Sequence, residues 1–400
     1  MREATGGHVT PGRDSSAAHA AAAADTDKPL ESTLTDWIDS SHELADLLAH
    51  GRGPVGVDTE FVRTDTYFPR LALVQVSTGS RIALADPLVI DDLSALDARL
   101  ADPGDVTIMH GAGEDVGVLA TRLPHPVGRL FDTQLAAAFA GLGHGIGYQA
   151  LVRTVCGVEL PKGETRSDWL RRPLTPQQLE YAAQDVAHLA QLHDDLGRRI
   201  DARGQRTWFD ADCARLVARA TRPEPDPEPQ RALRAAADWP LEQQARLRRI
   251  LLWREATARA IDRPRPWLVD DAHALDLARD PPATAEALRE RTRGQRSLRA
   301  PQRDSLFTEL SRPFDAEDLR FAPIPRGPER RDQPVLAAMK AAVAVRAAEL
   351  DLPPGLLCAR RSLEDLLTTR DWPDALSGWR REILYDSLTA LLPDSGAEAR

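Results

Sequence analysis

"PVGVDTEFVRTDTYFPRLALVQVSTGSRIALA", residues 54–85, decides the architecture. Three apolar runs, 54–61, 71–77 and 81–85, are separated by turn-forming residues and read as successive strands in hairpin-like succession. In the first run Asp58 and Glu60 are two residues apart. Successive strand side chains point to opposite faces, so these carboxylates share one face and Val57 and Thr59 the other. Like charges side by side repel, and burying either is costly without a partner. A divalent cation would be such a partner; a solvated edge carrying two harmless acids is the other reading.

Downstream the pattern changes to alternation. Strands are predicted at 106–110 ("VTIMH") and, more weakly, at 129–131, with helices over 41–50, 113–122, 133–141, 147–156 and 175–199. Hairpin-like strands followed by β–α alternation predict an α/β fold, a mixed sheet flanked by helices. "MHGAGEDVGVL", 109–119, reads as a strand end, a Gly-rich turn and a helix start. Glu114 and Asp115 fall in the first helical turn, where acids also serve as caps and dipole partners. "TPQQLEYAAQDVAHLAQLHDDL", 175–196, is a helix opened by Thr175 with Pro176 at its first position. Tyr181 and Asp185 project from one face of it, as a functional pair or as a surface tyrosine beside a solvated acid. Taken jointly, four carboxylates from separate elements suit two divalent ions about 4 Å apart, the spacing of two-metal phosphoryl chemistry. Oxygen-only ligation favours Mg²⁺ or Mn²⁺. A tyrosine hydroxyl one turn from a ligand can orient the attacking water.

Four hundred residues exceed one typical domain. Residues 1–33, alanine-rich with interspersed charges, are expected to form a disordered leader outside the fold. "TRPEPDPEPQ", 221–230, predicts an extended linker, and "FAPIPRGPERRDQP", 321–334, a further boundary. The domains are therefore placed at 34–220, at 236–320 after a 221–235 linker, and at 335–400. The last two lack strand patterns and carry amphipathic helices. Each has a long basic helix, a Pro-containing turn, then a short helix with Leu and Asp. The proline linker implies few contacts across it. The net charge is −10, but it is uneven. Residues 34–221 hold roughly 18 basic and 26 acidic groups, and 231–332 roughly 21 and 17. The acidic total is thus only a weak argument against a nucleic-acid partner. Three separated cysteines offer neither a disulfide framework nor zinc spacing, which favours a reducing cytoplasm. No apolar run is long enough to span a membrane.

Four ordered blocks now carry a resemblance: "DTEF" (58–61), "HGAGED" (110–115), "FDTQLAAAF" (131–139) and "KGETRSDWLRRPLTPQQLEYAAQDVAHL" (162–189). They resemble ribonuclease D, of the DEDD exonuclease superfamily and its subclass with a catalytic tyrosine. The resemblance implies a ribonuclease H-like mixed sheet of five strands. It implies Asp58, Glu60, Asp115 and Asp185 as ligands of two divalent ions, with Tyr181 orienting the nucleophilic water. Phe61, His110, Lys162, Arg166 and Trp169 become candidate substrate contacts; Trp169, with Arg171 and Arg172, is expected to stack on bases and meet phosphate, or to be a structural loop. "LRRILLWREATARAIDRPRPWLVDDAHALDLAR", 247–279, looks like an HRDC domain. "LDLPPGLLCARRSLEDLL", 350–367, with "LSGWRREIL", 376–384, is similar to a second one. The activity implied is metal-dependent 3′→5′ exoribonuclease action on tRNA precursors and other RNAs by a cytoplasmic monomer, releasing nucleoside 5′-monophosphates. The rival readings are a DNA-directed exonuclease with the same site and a non-catalytic RNA-binding scaffold.

Overall fold

The computed structural model describes residues 35–51, 53–79, 81–161, 167–221 and 225–393. The expected leader, 1–33, lies outside them. The strands are β1 (Thr35–Ile38), β2 (Val55–Val62), β3 (Arg70–Thr78), β4 (Arg81–Ala85), β5 (Thr107–Met109) and β6 (Leu130–Asp132). They form one sheet in the order β1-β4-β3-β2-β5-β6. The three runs of 54–85 give its antiparallel centre, and β1, β5 and β6 join in parallel. The sheet has six strands rather than five. The extra one, β1, is four residues long at an edge, with too little sequence to show a period. β3 is buried along almost its whole length, as its continuous apolar run requires of a central strand.

Around the sheet lie α1 (Ser41–His50), α2 (Ser94–Ala101), α3 (Gly113–Leu119), α4 (Thr133–Phe139), α5 (Tyr148–Cys156), α6 (Pro176–Ala187), α7 (Leu189–Ala202) and α8 (Arg206–Ala220). The single helix expected over 175–199 is broken at His188. There the Tyr148 hydroxyl accepts from the His188 N–H (3.3 Å) and donates to the Gln184 carbonyl (3.1 Å). An inserted side chain breaks the ladder where no Pro or Gly announces it.

Two helical runs follow. The first is α9 (Leu241–Ala260), α10 (Arg265–Leu268), α11 (Asp271–Arg279), α12 (Ala285–Arg291) and α13 (Ala300–Ser311). The second is α14 (Gln333–Glu349), α15 (Pro354–Leu357), α16 (Arg360–Thr369) and α17 (Trp379–Thr389). Both open alike, with a long helix, a one-turn helix at a proline and a medium helix. In both, an aspartate with positive φ follows the long helix: Asp262 (48°) and Asp351 (52°). Each of these meets the sheet domain. Asp262 accepts from the backbone N–H groups of Tyr67 (2.9 Å) and Phe68 (3.1 Å), and Asp351 pairs with Arg203.

The expectation of few contacts across the linker is corrected. The α9–α13 run has its own core, which Tyr67 of the sheet domain enters. The α14–α17 run shares a core with the sheet domain itself. Trp379 stacks on Trp208 (4.9 Å) and touches Phe139 (5.9 Å). Arg380 forms a bidentate pair with Asp212 (2.6 Å each), and both residues are 8% exposed. Prolines set the chain's local conformation, but they do not stop later apolar faces from docking back. Among the described residues, no helix is long and apolar enough to cross a membrane.

Candidate active site

β2 presents Asp58 and Glu60 on the face covered by α6. α6 is held at its start by a reciprocal cap, with the Thr175 hydroxyl accepting from the Gln178 N–H and the Gln178 side chain accepting from the Thr175 N–H. That cap fixes the phase in which Tyr181 and Asp185 face the sheet. One carboxylate oxygen from each of Asp58, Glu60 and Asp185 lies within 4.8 Å of the others. Asp115 arrives from the first turn of α3 and accepts a 2.5 Å hydrogen bond from the Thr59 hydroxyl. The structure thus converges three carboxylates and anchors the fourth beside them on a threonine.

The electrostatics follow from crowding. Asp58 is held well above the carboxylate range, first by burial and then by the charges of Asp115, Asp185 and Glu60. Burial pushes Glu60 up to about 8, helped by Asp185 and Asp115. Asp185 rises to about 7 through burial, against a hydrogen bond from Tyr181 that favours its charged form. Asp115 is raised by burial too, opposed by the Thr59 hydroxyl. Buried acids that repel one another need compensating positive charge. An oxygen-only cluster supplies what a hard divalent cation prefers, so the residues present fit such an ion.

The turn carrying Asp115 depends on a residue with no place among the predicted ligands. Asp132, at the end of β6, accepts from the backbone N–H groups of Gly111, Ala112, Gln134 and Leu135 at 2.8–3.1 Å. It caps α4 and clasps the 110–112 turn at once. Its signal in the sequence was an aspartate directly before a helical pattern. His110, in that turn, meets Thr133 through Nδ1 (2.9 Å) and packs edge-on against Tyr148.

Of the two readings of the segment carrying Trp169 and Arg172, the structural loop holds and the base and phosphate contacts do not. Trp169 is 4% exposed and packs with Ala72, Leu73, Leu84 and Ala182, beneath Tyr181 (6.1 Å between rings). No base can stack on it; it props the tyrosine. Arg172 is spent on Asp86 (2.6 and 2.7 Å) and the Ala72 carbonyl (2.6 Å), pinning its loop to the sheet rather than awaiting phosphate. Lys162 and Arg166 lie outside the described residues. Phe61 is half-buried and lines a groove of about 1130 Å³. That groove is also bordered by Arg63, Phe68, Arg70, Gly113, Arg122 and, from the helical run, Arg259. None of the four carboxylates lines it; Phe61 and Glu114, next in sequence to Glu60 and Asp115, do.

Residues 35–201 match the 3′-5′ exonuclease family. Over 91% of its length the chain is 42% identical to a ribonuclease D of Xanthomonas oryzae pv. oryzae, all of which is covered. It is 38% identical to a ribonuclease D of Pseudomonas paraeruginosa, over 88% of the chain and 96% of that relative. In three dimensions it is similar to the crystal structure of Escherichia coli RNase D, described as an exoribonuclease involved in structured RNA processing. The TM-score is 0.78 at 29% identity, covering 90% of this chain and 98% of that one. The catalytic core of RRP6 from Trypanosoma brucei, 22% identical at a TM-score of 0.56 over 69% of this chain and 79% of that one, shares the fold.

Proposed function

This chain belongs to the ribonuclease D family of 3′→5′ exoribonucleases, and from that premise we propose how its own residues carry the reaction and on which RNA. The observation that carries the proposal is the convergence of Asp58, Glu60 and Asp185 beneath Tyr181, with Asp115 anchored alongside. These four carboxylates would hold two divalent ions, Mg²⁺ or Mn²⁺, which would supply charge stabilisation at the scissile phosphate and activation of the attacking water. Tyr181, propped by Trp169, holds its hydroxyl beside Asp185 and orients that water in line with phosphorus. The tyrosine stays protonated, because burial and the charges of Asp185 and Glu60 raise its pKa. It therefore works as a hydrogen-bonding guide.

The groove lined by Phe61 and Glu114 takes the RNA strand. Arg63, Arg70 and Arg122 meet its phosphates, and Phe61 and Phe68 offer faces to its bases. His110 borders the terminal nucleotide from the turn before Asp115. Residues 241–311 and 333–389 are HRDC-type modules that present basic helices to the body of a structured RNA. The substrates are tRNA precursors and other 3′-extended RNAs, trimmed to nucleoside 5′-monophosphates by a cytoplasmic monomer.

The test is incubation with a 3′-extended tRNA and a matched single-stranded DNA, with and without EDTA. Stepwise shortening of the RNA, dependent on Mg²⁺ or Mn²⁺ and stopped by EDTA, is expected. Equal or faster loss of the DNA would transfer the activity to DNA. Shortening that persists in EDTA would remove the metal from the mechanism.

A further inference from the structure

Gln75 lies at the centre of β3, the only amide in the run "LALVQVS". It is 0% exposed, and neither its Nε2 nor its Oε1 has a hydrogen-bond partner among the described residues. A buried amide with both ends unpaired opposes folding, and leucine or valine would fill the position without that cost. Such an orphan calls for a partner.

Register identifies that partner. Gln75 stands directly opposite Asp58 on β2 and opposite Leu84 on β4. Side chains opposite one another in an antiparallel pair lie on the same face, with Cβ atoms about 4.5–5.5 Å apart. On that face Gln75 is flanked along β3 by Leu73 and Ser77, and the Ser77 hydroxyl is already donated to the Val186 carbonyl (3.1 Å). α6 covers the face with Ala182 and Val186, which bring no side-chain polar atom, and with Tyr181 and Asp185, which are hydrogen-bonded to each other. Directly across the strand pair, the polar group left for the amide is the Asp58 carboxylate.

We propose that Gln75 is a positioning residue for the metal site, its amide N–H donating to the outer oxygen of Asp58 when that carboxylate turns to ligate. The inference rests on the metal reading of Asp58, Glu60, Asp115 and Asp185. Ligating carboxylates are commonly held by hydrogen bonds from a surrounding shell, and losing such a bond typically lowers metal affinity about 10–100-fold. Gln75 fills that place from the neighbouring strand, on the same face of the sheet.

The experiment titrates Mn²⁺ into metal-stripped full-length protein, following free Mn²⁺ by electron paramagnetic resonance, and records Tm in EDTA. Parent, Gln75→Leu, Gln75→Met and Asp58→Asn are compared. Both Gln75 variants are expected to bind Mn²⁺ about 10–100-fold more weakly, with Tm in EDTA equal to or above the parent's, because no bond of the metal-free fold is lost. The methionine variant, unbranched like glutamine, decides the matter if leucine does not fit. Unchanged Mn²⁺ affinity overturns the proposal, and so does a lowered Tm or failure to fold of the methionine variant in EDTA, which would make the amide a prop of the empty fold. Asp58→Asn separates the two levels. If it loses Mn²⁺ while the Gln75 variants keep it, only the Gln75 proposal falls; if it binds like the parent, the metal site itself falls.

Discussion

Among single residues, the tyrosine gives the sharpest division of roles. Tyr181→Phe keeps the ring on Trp169 and removes one hydroxyl. kcat is expected to fall by roughly 10²–10⁴-fold, with Mn²⁺ affinity, RNA affinity and Tm nearly unchanged. Single-turnover kinetics on a short 3′-labelled RNA measure it, and a parental rate would remove Tyr181 from the chemistry. The carboxylates make a second prediction, about pH. Glu60 and Asp185 titrate at about 8 and 7 in the fold, far above their values in the unfolded chain. Between those limits the folded state binds more protons than the unfolded one, so metal-free stability falls as pH rises. In EDTA, Tm should decline from pH 5 to pH 8, and saturating Mg²⁺ should flatten or reverse the trend. A Tm in EDTA that rises over this range would contradict the crowding of these acids.

Asp58, Glu60, Tyr181 and Asp185 were legible as pairs because their spacings, two on a strand and four on a helix, are the periods of the elements that carry them. Trp169 and Arg172 stayed open between substrate contact and structural loop because a loop residue's burial is set by what packs on it from far along the chain. Here that is β3, β4 and Asp86. Gln75 drew no notice because an apolar run hides its one polar member.

Elements are placed by a few polar clasps, and Asp132, with four bonds to backbone N–H groups, is the one that holds the turn before Asp115. Asp132→Ala removes the acceptor for four backbone N–H groups, two in the 110–112 turn and two at the start of α4. A destabilisation of about 2–4 kcal/mol is expected by chemical denaturation, combining a lost cap with newly unpaired buried donors. Activity should fall further than stability alone explains, because α3 carries Asp115 out of register with β2. A variant as stable as the parent would mean that the turn is held by other contacts. At this scale the sequence was read well where a pattern was long and poorly where it was short. The three strands of 54–85 and α6 were predicted nearly whole, whereas β1 and α2 were not predicted at all. The break at His188 comes from the Tyr148 hydroxyl, forty residues away, so no local signal exists for it.

Across the whole molecule, the proline-rich segments mark composition and not independence. Ending the chain at residue 230 would strip Trp379 from Phe139 and Trp208 and leave Asp212 without Arg380. The truncated protein is expected to be insoluble or to melt well below the parent; a fragment with parental Tm would show that the shared core is dispensable. Arg380→Met isolates the ionic part. It leaves a buried aspartate uncompensated and should cost about 3–5 kcal/mol, measured by denaturant titration.

That shared core also has a consequence in time. A chain made at about 5–20 residues per second delivers Trp379 after Phe139 and Phe209 by roughly 10–50 s. The α9–α13 run, with a core largely its own, can settle in that interval, while the nuclease waits with aromatic rings bare. The shared core is thus completed by residues 333–389 only after the sheet and the helix carrying Tyr181 and Asp185 have been made.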